Sequence, residues 1–399
     1  MIKYQTGDYN DEWPPLVNYS SLIDSALADL DRAIELSKRP INGIIPTEVR
    51  YDDFEFKFDG FPGANPQWNH NYLRRVANSF AARILAGKAR TYEEALQIDW
   101  ARVLNYAEKG LLLRGGNDTF ALSNIGSSGE FANYLVDWST FIISGIPFQG
   151  DIDTGAGYLP VDFKVIHLLD ENYPTEYPAE AIQEGVLTFP EATSSDPRLN
   201  NYYKYTQNKG FLREERNTSL FSNYLNKRMY ADNDWWLAEN KVILFTESEI
   251  QYLEAEAHIM LGNFSKAAQI LNESPAGTGK TNFDFALPAL RSGYIDQNGV
   301  SGNHFFDGSE SLAEMQLALL REYSIELEGL GGTGIQWFFM RRHDLLQKGT
   351  PTMYPIPDSQ LDYYGLPNYS FGGVENAGQV GTASGANSWK SLRAKIGTE

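Results

Sequence analysis

Four features of this sequence have residue types and spacings that could do chemistry: glycine-rich turns, histidines, paired carboxylates and clustered aromatics. Gly329-Leu-Gly331-Gly-Thr-Gly334 satisfies G-x-G-x-x-G. That spacing cradles a pyrophosphate only where a strand leads in and a helix opens on the turn. Here helical periodicity leads in, so the run is expected to end a helix. Ser274-Pro-Ala-Gly-Thr-Gly279-Lys280-Thr281 falls one glycine short of a phosphate loop. It too follows a helical pattern and reads as a polar turn, without the loop-to-helix geometry that aims N–H groups at phosphate. The five histidines, 70, 167, 258, 304 and 343, are all more than four residues apart, so no helix carries a metal-binding pair. His258 is expected to lie in a helix seam.

Carboxylate neighbours occur at Asp52/Asp53, Glu214/Glu215 and Glu326/Glu328. A glycosidase needs two acids ~5–9.5 Å apart across a cleft. With 52 acidic residues such neighbours arise by chance, and the chain is read as non-catalytic. No nucleophile elbow is present. The absence of cysteine removes thiolate catalysis, disulfides and thiolate-held metals together. No metal or cofactor is expected.

The aromatics are more informative. Between 202 and 236 lie nine: Tyr202, Tyr203, Tyr205, Phe211, Phe221, Tyr224, Tyr230, Trp235 and Trp236. Trp68 and Asn69 stand at a loop-to-helix junction. Indole and phenol rings offer flat apolar faces to the C–H faces of a sugar, while Asn, Asp, Arg or Gln alongside meet its hydroxyls. Trp235, Trp236, Tyr230 and Trp68 are the leading candidate ligand-binding residues, with Tyr202 and Asn69 behind them. The competing reading is that these rings pack loops onto helices.

The elements that must position these residues are mostly helices. Leu22, Ile23, Ala26, Leu27, Leu30, Ala33 and Ile34 predict a helix over 19–36, capped by Ser20 or Ser21. Further helices are expected over 71–86, about 99–113, 247–261, 311–328 and 337–347, with a short strand at 242–246. Thr246 with Glu249 fits a capping box, and Ser311 with Glu314 opens another helix. Ala255 to Leu271 follows tetratricopeptide spacing: small Ala255 and Ala257, a turn at Gly262, then Phe264, Ala267 and Leu271. Ala77–Leu85 with Asp99–Ala107 suggests a second hairpin. The expected fold is mainly α, with tetratricopeptide-like helix hairpins, a long irregular loop-rich region over about 114–240 and few short strands. One domain spans 1–371, and 372–399 is a glycine-rich tail expected to be loosely packed.

The chain has 399 residues, with 33 Lys+Arg against 52 Asp+Glu, a net charge of −19 and a pI near 4.7. That balance argues against nucleic acid and against a polybasic membrane surface. No stretch is apolar enough to cross a membrane. Met1 to Trp13 shows no basic and apolar leader, which suggests either a cytoplasmic protein or a chain without its native start.

Three segments together resemble the SusD/RagB family of surface nutrient-binding lipoproteins. The first is Ile23–Leu36, containing Ala28-Asp29-Leu30-Asp31-Arg32-Ala33-Ile34. The second is Glu247–Ala257 followed by Leu261-Gly262. The third runs Arg321-Glu322, Glu326-Leu327-Glu328-Gly329, Gln336-Trp337, Arg341-Arg342, Leu345, Gly349, Tyr354-Pro355-Ile356-Pro357 and Leu361. Tyr323 and Gln336 stand where the family has arginine. The resemblance implies a non-catalytic glycan- or nutrient-binding protein at the outer-membrane surface. It also implies delivery to a SusC-like TonB-dependent transporter and an N-terminal lipid anchor that this chain does not contain. Arg341 and Arg342 are expected to pair internally with Glu322, Glu326 and Glu328. The alternatives are a tetratricopeptide-type protein-binding scaffold and a carboxylate-pair glycoside hydrolase.

Overall fold

The structure is a computed structural model. It describes residues 17–38, 70–111, 119–123, 160–175, 189–194, 196, 198–205, 221–226, 241–273, 294–295, 301–304, 306–328, 334–369, 372–386 and 388–392. The described chain is mainly α, with short strands between helices.

The N-terminal part is built from α1 (Tyr19–Leu36), α2 (His70–Ala86), α3 (Tyr92–Ala95) and α4 (Trp100–Ala107). The cap of α1 is Asn18, not a serine: its Oδ1 accepts from Ser21 N at 2.8 Å. Leu27 and Ile34 bury the inner stripe against Val76, Ala77 and Ala81 of α2. The single helix expected over 99–113 is shorter than that. It starts at Asp99, whose side chain accepts from Arg102 N, and stops at Ala107. Past Ala107 the bonds tighten to three-residue steps, Lys109 N to Tyr106 O and Gly110 N to Ala107 O, and Gly110 passes so close to Ser79 Oγ that a Cβ would come within 2.7 Å of it. That hydroxyl instead accepts from Leu111 N, turning the chain inward.

β1 (Thr119–Ser123) pairs antiparallel with β5 (Lys241–Thr246), which confirms the strand expected at 242–246. β5 leads directly into α7 (Glu247–Met260). Thr246 Oγ1 accepts from Glu249 N, but the reciprocal half of the capping box is not made. Glu249 turns to Arg83 of α2 instead, through two charge-assisted bonds, because a buried carboxylate gains more from a guanidinium than from one N–H. α7 is buried nearly all round. Ile250, Leu253 and Ala257 belong to the core shared with α2 and α4. Tyr252, Ala255 and Ile259 belong to a second core. Gly262, at φ +77°, makes the turn to α8 (Phe264–Glu273), where Ala267, Ala268 and Leu271 pack back as the repeat spacing requires.

The second core gathers elements from the region read as irregular. β2 (Pro160–Asp162) runs into α5 (Phe163–Leu169), and α6 (Arg198–Tyr202) into β3 (Tyr203–Tyr205). β4 (Phe221–Asn226) lies between β2 and β3, antiparallel to both. Farther along, β6 (Tyr294–Ile295) and β7 (Ser301–His304) form a two-stranded ribbon. α9 (Leu312–Ile325) carries a complete capping box between Ser311 and Glu314. α10 (Ile335–Arg342) is shorter than the helix expected over 337–347. It ends because Asp344 adopts a left-handed φ of +54°, letting Leu345 N reach Met340 O at 2.8 Å.

α11 (Asp358–Tyr363) precedes the glycine-rich end, whose described part is not loose. Gly349 and Gly373 join through main-chain hydrogen bonds, as do Thr350 with Ala383 and Thr352 with Gly381. Gly372, Gly373, Gly378, Gly381 and Gly385 all have positive φ, so the glycines serve tight turns rather than flexibility. Trp389 and Leu392 then enter the second core.

Candidate functional site

Trp68, Asn69, Tyr230, Trp235 and Trp236 lie outside the described residues. Tyr202 is described, and it is a core residue rather than a platform. It is 1% exposed, and its hydroxyl donates to Glu326 Oε2 at 3.0 Å. The tyrosines near it behave alike. Tyr203 Oη donates to Ile325 O, Tyr205 Oη to Phe189 O, and Tyr224 Oη accepts from Ala192 N. Burial pushes the Tyr224 phenol well above its ordinary pKa. A tyrosine cluster with every polar tip tied to the protein packs sheet onto helix. The sequence counted the rings but could not show which way they faced.

The buried charges form two assemblies. In the first, Arg198 donates to Asp196 and, through both terminal nitrogens, to Glu322 at 2.8 and 2.9 Å. Arg321 joins by donating to Asp196 Oδ2 at 2.8 Å and to Leu168 O at 3.0 Å. Tyr252 Oη donates to Glu322. In the second, Glu256 accepts two bonds of 2.5 Å from Arg342 and contacts His343 Nε2 at 2.8 Å. Burial alone would raise the Glu256 pKa, but Arg342 and His343 hold it at about 2. Glu322 is likewise lowered: burial is overcome chiefly by Arg198. Carboxylates sealed against guanidinium groups cannot shuttle protons to a substrate.

These contacts correct the expected pairing. Arg342 pairs with Glu256, not with Glu322, Glu326 or Glu328. Arg341 has no carboxylate partner among the described residues. It donates to Gly87 O at 2.6 Å and Thr352 O at 3.1 Å.

An open cavity of about 310 Å³ lies beside α10, lined by Asp162, Lys164, Gln336, Trp337, Gln347 and Thr350 among others. Lys164 is 5% exposed. Its Nζ donates to Gln336 Oε1 at 2.9 Å and sits 3.4 Å from Met340 Sδ. Burial lowers its pKa, while Asp162 and Glu328 oppose the change. Gln336 Nε2 donates in turn to Ser324 O. An arginine at 336 would set two cations against each other, so glutamine is the residue that accommodates Lys164. Trp337 is anchored through Nε1 to Pro351 O at 2.8 Å. A fixed indole, two amides, a hydroxyl and a carboxylate suit a polyhydroxyl ligand of small size. Sequence reasoning missed Lys164 and Asp162, which stand in another part of the chain. The departure at Gln336 was the available signal.

Among the described residues no group of three His, Asp or Glu could hold a metal ion, and no helix is long and apolar enough to cross a membrane. Ser274–Thr281 and 329–333 lie outside the described residues, while Gly334 precedes α10 at φ +89°.

No family profile matches the sequence, and no curated protein is similar to it. Among solved structures, a SusD homolog from Parabacteroides distasonis aligns with a TM-score of 0.43 and 15% identity. The alignment covers 85% of this chain and 63% of that one, so this chain spans less than two thirds of its length.

Proposed function

We propose that this protein binds a glycan or similar nutrient without chemistry, at the outer-membrane surface of the cell, for a SusC-like TonB-dependent transporter. One observation carries the reading. The second and third segments on which the SusD/RagB resemblance rests meet in the interior: Glu256 pairs with Arg342, and the Tyr252 hydroxyl donates to Glu322. Spacing read along the sequence thus corresponds to a single packed unit. The aromatic and amide lining beside α10, and the aromatics of 230–236, supply recognition chemistry of the right kind.

Affinity gel electrophoresis against a panel of polysaccharides tests the proposal. Retardation by one polymer with no released product supports binding without turnover. Trp235→Ala or Trp236→Ala is expected to weaken that binding by ~1–3 kcal/mol, the scale of losing a stacking aromatic. Unchanged affinity in both, with the fold intact, removes the pair from the site. A second reading, a protein-binding scaffold, is favoured by the exposed Tyr354, Ile356, Tyr363, Leu366 and Tyr369 on one stretch of chain. Capture of a protein partner with no response to any glycan would select it.

A further inference from the structure

Arginines that are buried in this protein come with carboxylates. Arg198, Arg321 and Arg342 each hold one. Arg341 is the exception among the described residues: it is 3% exposed, and its partners are main-chain oxygens and the Tyr19 hydroxyl. Its Nε is buried with no acceptor at all. Arg90 stands beside it. The Arg90 guanidinium lies 4.1 Å from the Tyr19 ring centroid, pairs with no carboxylate among the described residues, and also has a buried Nε without an acceptor among them. Two adjacent cations, neither paired with a carboxylate among the described residues, are costly in a partly dry site. The Arg341 pKa is lowered by its burial, and Arg90 and Arg342 push it the same way.

Both arginines line an open cavity of about 440 Å³. The hydroxyl residues Thr91, Thr382 and Ser384 line it as well. Two carboxylates also line it, Glu94 and Asp344. The Glu94 carboxylate is engaged by the main-chain N–H of Arg90 at 2.7 Å and makes no ion pair with either guanidinium. The glycine-rich return, including Gly378, Gly381 and Gly385, forms another part of the lining, where main chain replaces side chain. Such a volume falls within the ~300–1,000 Å³ of small-molecule sites and exceeds what a bare oxyanion fills.

We infer that this cavity binds a ligand of about one sugar ring carrying an oxyanion, a carboxylate or a sulfate ester, with Arg90 and Arg341 as the anion-recognising pair. The oxyanion supplies the counter-charge that neither guanidinium group finds among the described residues, and the hydroxyls of Thr91, Thr382 and Ser384 face the ring. The anion assignment rests on the cavity alone; the choice of a sugar as its body rests on the function proposed above.

Isothermal titration of the full chain with D-glucuronate, galactose 6-sulfate, D-glucose and inorganic sulfate tests this. The expected result is binding of at least one sugar acid, weakened by salt, competed by sulfate, and absent for glucose. The glucuronate and sulfate-ester arms distinguish the two oxyanions. Arg90→Gln, which leaves the Arg341 contacts in place, is expected to weaken binding at least about tenfold, while Arg90→Lys retains part of it. Equal binding of glucose, or no heat from any probe, overturns the proposal. Binding of sulfate alone overturns the assignment of a ring-sized ligand. Polysaccharide retardation that persists in Arg90→Gln leaves the general glycan reading standing while this site fails.

Discussion

Replacing Glu256 by Gln removes one negative charge at the centre of the second ionic assembly and little else. The side chain keeps its size, so packing around Tyr252 and Tyr323 is preserved. What changes is that Arg342, 3% exposed, loses its counter-charge. The size of that loss can be worked from the carboxyl itself. Its pKa falls from 4.5 to about 2 on folding, so the folded protein favours the carboxylate over the neutral acid by about 3 kcal/mol more than the unfolded chain does. Breaking a buried pair by removing one partner typically costs ~3–5 kcal/mol, in agreement. Against a total stability of ~5–15 kcal/mol this is a large fraction. Urea denaturation followed by tryptophan fluorescence reads it, the eight tryptophans providing signal. The double variant Glu256→Gln with Arg342→Met is the decisive comparison. Removing both charges should recover much of the loss, since the penalty is the unpaired cation rather than the missing bonds. A single-variant cost under about 1 kcal/mol, or a double variant worse than the single, would refute the reasoning.

Three other outcomes are expected. Because the Glu256 pKa is depressed by folding, its contribution is complete above pH ~4.5 and is lost as pH falls toward about 2, and the lowered Glu322 acts in the same direction; the melting temperature should decline with acid in that window, less steeply in Glu256→Gln. Gln336→Arg should lower stability by about 3 kcal/mol by facing Lys164, and Lys164→Met should rescue it in a thermal melt. Gly349→Ala should loosen the C-terminal return, because a Cβ at φ +84° would approach Val374 N within 2.6 Å; limited proteolysis near 372–386 would show faster cleavage than in the parent.

The legible parts of this protein are those whose determinants are close in sequence. The α7–α8 hairpin follows from Ala255, Ala257, Gly262 and Ala267, all within one repeat. The Ser311–Glu314 box closes over three residues. What resisted reading depends on which face meets which. Thr246 and Glu249 have box spacing, yet Arg83, from 166 residues earlier, takes the carboxylate. Arg342 lies close to three glutamates in sequence but faces α7. Lys164 reaches Gln336 across 172 residues, so the departure at Gln336 marks one wall of that cavity without naming its partner. The glycine-rich end looked loose because composition does not distinguish freedom from a need for positive φ. The tyrosines of 202–224 looked available because a phenol suits a packed core and a binding surface equally well.

α7 stands in both hydrophobic cores, with Leu253 and Ala257 on one side and Tyr252 and Ala255 on the other. A ribosome making this chain therefore cannot finish the N-terminal core when α1 to α4 have emerged. α1, α2 and α4 must wait for residues 245–260 to cover them, and those residues must wait for Arg342 to neutralise Glu256. The partial chain carries an uncovered apolar face through much of its synthesis, a natural target for chaperones. Once the wall is in place the two cores stand or fall together, and calorimetry should record one melting event rather than two.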